Sequence, residues 1–164
     1  MAARNIVMKI QLWSVGKAHE AYVKAGVDNF TRRISMYYPV EWKVISPARQ
    51  TTNTTEADVK KQEATSLLQQ LQKDDYLVLL DERGKQLTSV ELAGLLQQRA
   101  NASTRNLVFL IGGAFGVADA VVQRANFCWS LSKLVFPHQL VRLLLAEQVY
   151  RACTINRNEK YHHL

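Results

Sequence analysis

Hydrophobic and polar positions along this chain switch repeatedly between a strand period and a helix period. "VMKIQLWSV" (7–15) is apolar and partly alternating, which predicts a β-strand. Residues 19–37 follow a helical period, with Tyr22, Ala25, Phe30, Ile34 and Tyr37 near one face. "VEWKVI" (40–45) alternates and predicts a strand, whereas the polar "SPARQTTNTT" (46–55) has no period and predicts a loop. A second helix is predicted over 56–73, carrying Val59, Leu67, Leu68 and Leu71. "YLVLLD" (76–81) and "NLVFLI" (106–111) are continuously apolar, the mark of strands buried on both faces. Between them "ERGKQL" predicts a turn, and Thr88 with Glu91 makes a capping box before the helix "VELAGLLQQRA". A short helix over about 117–125 and a strand over 127–132, "FCWSLS", follow. This alternation predicts an α/β fold with a mostly parallel sheet, in one domain.

The last helix is the most unusual element. Pro137 stands at its first turn. From His138 to Ala152, Leu140, Val141, Leu143, Leu144, Leu145, Val149 and Tyr150 run almost all the way round. A helix apolar on every side has to be covered on every side. One sheet cannot do that, so the spare face is expected to pack on a second copy in a two-fold homodimer. Arg142, Glu147 and Arg151 interrupt the apolar surface. Glu147 and Arg151 are four apart, in the favourable order for pairing. Arg142 points elsewhere and needs a partner subunit or a ligand to satisfy it.

Composition narrows the class. The chain has 164 residues, 48% hydrophobic and 21% charged, which fits one globular domain. No apolar run approaches the ~18 residues of a membrane span. "MAARNIVMKI" lacks an export-signal pattern, so a cytoplasmic protein without membrane contact is expected. Two cysteines without a CxxC suit a reducing compartment, and they read as small buried hydrophobes. No spacing offers four metal ligands, so no metal is expected.

Charge adds a partner. The net charge is +7. Residues 1–45 hold seven basic and three acidic side chains, residues 46–119 hold eight and nine, and residues 120–164 hold six and two. If the two ends of the chain meet, they form one positive face suited to a polyanion such as RNA or DNA. Solubility alone would explain the charge equally well.

"LVFLIGGAFG" runs a buried strand into glycines, where an α/β protein places a ligand. It is not a dinucleotide fingerprint, because residue 111 is Ile111 rather than glycine, and it is not a P-loop, because no lysine follows Gly116. A plain tight turn and a ligand loop both remain open on this pattern.

Several segments together resemble one family. "LVFLIGGAFGV", "SLSKLVFPHQLVRLLLAEQVYRA" and a tail ending "YHH", with "MKIQLWSVGK" and "LVLLDERGK", resemble the RlmH family of ribosomal RNA methyltransferases nearly throughout from Met8. "MAARNIV" (1–7) is then an extension, and His163 stands where some members carry arginine. The resemblance implies a SPOUT-type α/β fold with a deep C-terminal trefoil knot that binds S-adenosylmethionine. It implies a homodimer that methylates N3 of a pseudouridine in helix 69 of 23S rRNA, on assembled ribosomes. The cofactor residues it carries over are Leu80, Gly112, Leu131, Ser132, Lys133, Leu134, Val135 and Phe136, mostly through backbone contacts. The strand ends at 80, 111 and 131, each followed by a turn, are independently expected to converge on one crevice.

The N3 proton has to leave, which needs a base or a positive neighbour. Tyr161 and His162 in the tail and Arg142 near the knot are the candidate catalytic residues. Tyrosine can stack on a splayed base, histidine can accept a proton near neutral pH, and Arg142 can stabilise charge on the uracil oxygens. His163 is expected to meet RNA phosphate. Leu164 has no assigned role. His138 reads as a structural hydrogen-bonder and His19 as solvated. Two alternatives remain: a SPOUT methyltransferase with another RNA target, and a non-catalytic ribosome- or RNA-binding module.

Overall fold

A computed structural model describes residues 6–163. The first five residues of the expected 1–7 extension, and Leu164, lie outside the described residues. The elements run β1 (Lys9–Val15), α1 (Ala21–Ile34), β2 (Val40–Ile45), α2 (Glu56–Gln70), β3 (Tyr76–Gln86), α3 (Ser89–Asn101), β4 (Asn106–Ile111), α4 (Asp119–Arg124), β5 (Phe127–Ser130) and α5 (His138–Asn156). All five strands are parallel, in the order β2-β1-β4-β3-β5. The expected α/β class and parallel sheet are therefore present.

The strand period places two cores. Along β4, Leu107, Phe109 and Ile111 face one side with Leu92 and Leu96 of α3 and Leu145 and Val149 of α5. Val108 and Leu110 face the other side with Ala64 and Leu67 of α2 and Val121 of α4. Leu107 to Leu110 are fully buried, as a continuously apolar strand requires. The expected capping box at Thr88 and Glu91 forms in both directions, at 3.0 Å each way. A second box at Thr55 and Asp58 opens α2.

Four expectations need correction. "ERGKQL" is not a turn; β3 runs on to Gln86. The Asp81 carboxylate accepts from Arg83 N, the register shifts between Leu80 and Lys85, and Lys85 and Gln86 then pair with Trp129 and Ser130. Gly84 permits this, since a Cβ there would lie 2.6 Å from the Cys128 and Trp129 backbone. Second, α5 continues past Ala152 to Asn156, because Cys153 and Thr154 are buried and extend its packed face. Third, the sheet is not alone in covering α5: α1 and α3 flank it and cover much of its apolar surface, which narrows the face left for a second copy. Leu143 fits over Gly26 of α1, where a Cβ would lie 2.6 Å from it. Leu140, Val141, Leu143 and Leu144 stay half-buried. Fourth, Cys153 is buried, its thiol pushed up to about 12 by that burial, but Cys128 is only half-buried. Among the described residues no helix is long and apolar enough to cross a membrane.

Candidate active site

The carboxyl ends of β3, β4 and β5 open on one crevice of about 580 Å³. That is within the usual range for a small-molecule site. Leu80, Gly112, Leu131, Ser132, Leu134, Val135 and Phe136 line it, together with Asp81, Arg83, Lys60 and Val141. Lys133 does not; it faces a second hollow with Glu82, Gly84 and Gln86.

Local chemistry shapes each wall. Gly116 N donates to Gly113 O at 3.0 Å, closing a tight turn, and Gly116 has φ +80, which favours glycine. A Cβ on Gly112 would lie 2.7 Å from Val117 Cγ1, so this wall closes only without a side chain. Behind Gly113 sits the Glu63 carboxylate of α2, which also accepts from Ala48 N at 3.2 Å. In the third wall Ser132 Oγ accepts from Leu134 N at 3.0 Å, and Ser130 Oγ donates to Ser132 O at 3.1 Å. These hydroxyl bonds hold 130–134 in a turn. Asp81 is held below the usual carboxylate range by the Arg83 guanidinium, so it stays ionised at the crevice.

A cluster of cationic and imidazole groups lies behind the glycine turn. His138 Nε2 donates to Gly112 O at 3.1 Å, with Ser14 Oγ 3.4 Å away. The neutral ring therefore leaves Nδ1 unprotonated. Burial, then the Arg142 charge, hold its pKa below the ordinary value. The hydrogen bond agrees with the structural reading of His138. Arg142 is fully buried. Its Nη1 donates to His19 Nδ1 at 3.1 Å, while Nε and Nη2 have no partner among the described residues. Burial lowers its pKa, opposed by Glu20. Nη2 lies beside Gly16, where a Cβ would come within 3.2 Å. Arg142 thus sits behind the crevice and does not line it. His19 is half-buried rather than freely solvated: its ring meets Trp42 edge-on at 4.9 Å, and its pKa is lowered by burial and by Arg142.

Tyr161 and His162 are folded onto α5. Glu147 Oε1 accepts from Arg151 Nε and from Tyr161 Oη, both at 3.0 Å. The expected Glu147–Arg151 pair is thus present. Arg151 also lies 4.7 Å over the Tyr161 ring and donates to His162 Nδ1 at 3.2 Å. Burial, then Glu147, push the Tyr161 phenol up, so it stays protonated. His163 is exposed. The crevice lining includes Val141 but no residue from 142 to 163. At about 1.5 Å per residue, Arg151 lies about 15 Å along α5 from Val141. The crevice and the tail therefore occupy different parts of one chain. From sequence, Asp81 had no role, His19 read as solvated, and Glu147 paired with Arg151 without its contact to Tyr161. Only "DERGK" carried a signal, an acidic residue at a strand end.

The family described as "Predicted SPOUT methyltransferase" matches residues 8–162. The protein named Ribosomal RNA large subunit methyltransferase H from Cytophaga hutchinsonii is 46% identical over 156 residues, covering 95% of this chain and all of that one. Its namesake from Parabacteroides distasonis is 41% identical, covering 95% and 99%. The one from Geobacter metallireducens is 42% identical with the same coverage.

Proposed function

The chain belongs to the SPOUT methyltransferase family, and from that premise we propose that it transfers a methyl group from S-adenosylmethionine to N3 of a pseudouridine in helix 69 of 23S rRNA. The acceptor is presented by the assembled ribosome. The names of the relatives support the rRNA substrate. The observation that carries the reading is the crevice at three parallel strand ends, walled by glycine and hydroxyl-braced turns.

The residues present fit the cofactor. Leu80, Gly112 and the segment 131–136, apart from the Lys133 side chain, would hold it largely through backbone groups. Asp81, bound through both carboxylate oxygens by Arg83, fixes the rim of the crevice. The deep trefoil knot of this reading would entwine these turns and brace them. S-adenosylmethionine supplies a methyl group already activated on a sulfonium. The chain's own task is to place the acceptor nitrogen, keep water out and deal with one proton.

Tyr161, a neutral phenol, contacts the splayed base. Arg151 donates to His162 Nδ1, so that nitrogen is free to meet the nucleotide only once the tail leaves α5. Arg142 is fully buried behind the glycine turn, so it reaches the uracil oxygens with its unpaired Nε and Nη2 only if the chain at Gly16, which covers Nη2, moves aside. The tail lies far from its own crevice, so a second copy supplies it, in a homodimer joined through the half-buried Leu140 and Leu144. His163 contacts phosphate beside it.

Calorimetric titration with S-adenosylmethionine tests the premise of the reaction. Binding with one site per chain is expected. No heat of association would leave a non-catalytic RNA-binding module.

A further inference from the structure

We infer that the joined ends of α1 and α5 form a docking surface for the phosphodiester backbone of RNA, with Arg33 and Arg157 as its fixed points; this rests on the RNA-methylating reading above. The two net-positive stretches of the sequence, 1–45 and 120–164, do meet, because α1 packs along α5. Phe30, Tyr37, Tyr150 and Tyr161 join there in one aromatic plate. Ring centroids are 5.9 Å apart for Phe30 and Tyr150, 6.4 Å for Tyr37 and Tyr150, and 4.7 Å for Tyr150 and Tyr161. The Arg33 guanidinium lies 5.4 Å from the Tyr150 ring centre, and that of Arg157 lies 5.6 Å from Tyr37.

The charge balance decides what this plate attracts. Two carboxylates share it: Glu147 is paired with Arg151, whereas Glu159 keeps its charge and is outnumbered by the exposed Arg32, Arg33, Arg157 and Lys160. Glu147 accepts from Arg151 and Tyr161, and Glu159 accepts from the Tyr37 hydroxyl at 2.6 Å. Arg33 and Arg157 are exposed and belong to no ion pair among the described residues. Arg33 Nε and Arg32 Nη2 share only the neutral Asn29 Oδ1, at 3.3 and 3.4 Å. Arg32, Lys160 and His163 are exposed as well. An arginine steadied on a ring face loses less freedom on gripping a phosphate, and its planar fork matches phosphate oxygens. The plate continues into Tyr161 and His162. Arg33 and Arg157 therefore stand beside the two residues that would meet the base, through the Tyr37–Tyr150–Tyr161 ring contacts.

The test is equilibrium binding of the full chain to ribosomes and to deproteinised 23S rRNA across a salt series. Each phosphate contact adds roughly one to the slope of log affinity against log salt. The Arg33→Ala, Arg157→Ala double variant is expected to lose about two from that slope on both substrates. The matching double lysine variant keeps the charge and should keep the slope. Thermal melts confirm that both variants are folded. An unchanged slope and affinity in the alanine variant would overturn the proposal. So would weakened ribosome binding with a wild-type slope on bare rRNA, since the surface would then meet protein. Methyl transfer is read on the same samples. A wild-type chain that binds RNA through these arginines but transfers no methyl group sinks the proposed reaction and still supports the surface.

Discussion

Arg142 Nη1 donates to His19 Nδ1 over 3.1 Å, a contact between residues 123 positions apart. It ties the β1–α1 connection to the first turns of α5, behind the glycine wall. The His19 ring also faces Lys24 and Asp28 of α1, whose charges act on it in opposite directions. His19 and His138 both have pKa values held below 6.5, by burial first and by Arg142 next.

The sign of the pH dependence follows. In the unfolded chain both rings take up protons near the ordinary value of 6.5; in the folded chain they do so only at lower pH. Below about pH 6.5 the unfolded state binds more protons, so the stability contributed by these rings is complete above that pH and falls beneath it. Melting temperature should therefore drop on acidification from about pH 7.5 to about pH 5.5. His19→Gln keeps an acceptor for Arg142 and should show a smaller drop. An identical drop in both proteins would remove His19 from the account.

The crevice makes a sharper demand on backbone than on side chains. Gly112→Ala forces a Cβ into Val117 and should weaken S-adenosylmethionine binding at least about tenfold, or 1.4 kcal/mol. Lys133→Ala, whose side chain faces the other hollow, should leave the affinity within about twofold. Calorimetry on the two variants reads the contrast. Equal effects would mean that the cofactor does not follow the 112 and 131–136 turns.

Gly84→Ala tests the correction to β3. Its Cβ would strike the backbone of Cys128 and Trp129, which cannot yield like a side-chain tip. A loss of about 1–3 kcal/mol in unfolding free energy is expected from denaturant titration. A neutral result would mean that β3 does not press on β5 at this point.

The tail divides binding from chemistry. Deleting residues 161–164 should reduce methyl transfer by about a hundredfold or more, while S-adenosylmethionine affinity stays near wild type. The packing of Tyr161 on Glu147 is partly exposed and local, so the truncated chain should still fold. Methylation of ribosomes at a normal rate by the truncated protein would remove Tyr161 and His162 from the reaction.

Most of the sheet was legible because burial on both faces leaves an unbroken apolar run. "NLVFLI" and "YLVLLD" carry that mark, and "VEWKVI" matches β2 at both ends. The extension of β3 was hidden, because "ERGK" has turn composition and the partner that holds it, β5, lies more than 40 positions on. The crevice was half legible. Strand ends followed by turns placed its walls, but no pattern shows which way Lys133 turns. His19 was read as solvated, and the docking of the tail on α5 was not foreseen, for a related reason. Their partners, Trp42, Arg142 and Glu147, come from distant elements that only the fold brings near.

The most direct measurement of the central claim is mass mapping of 23S rRNA from cells lacking this protein, before and after adding the purified chain and S-adenosylmethionine to their ribosomes. The account predicts one methyl group missing from the helix 69 pseudouridine and restored at N3 by the added protein. A methyl group restored at any other nucleotide, or none restored by a chain that binds the cofactor, would contradict it.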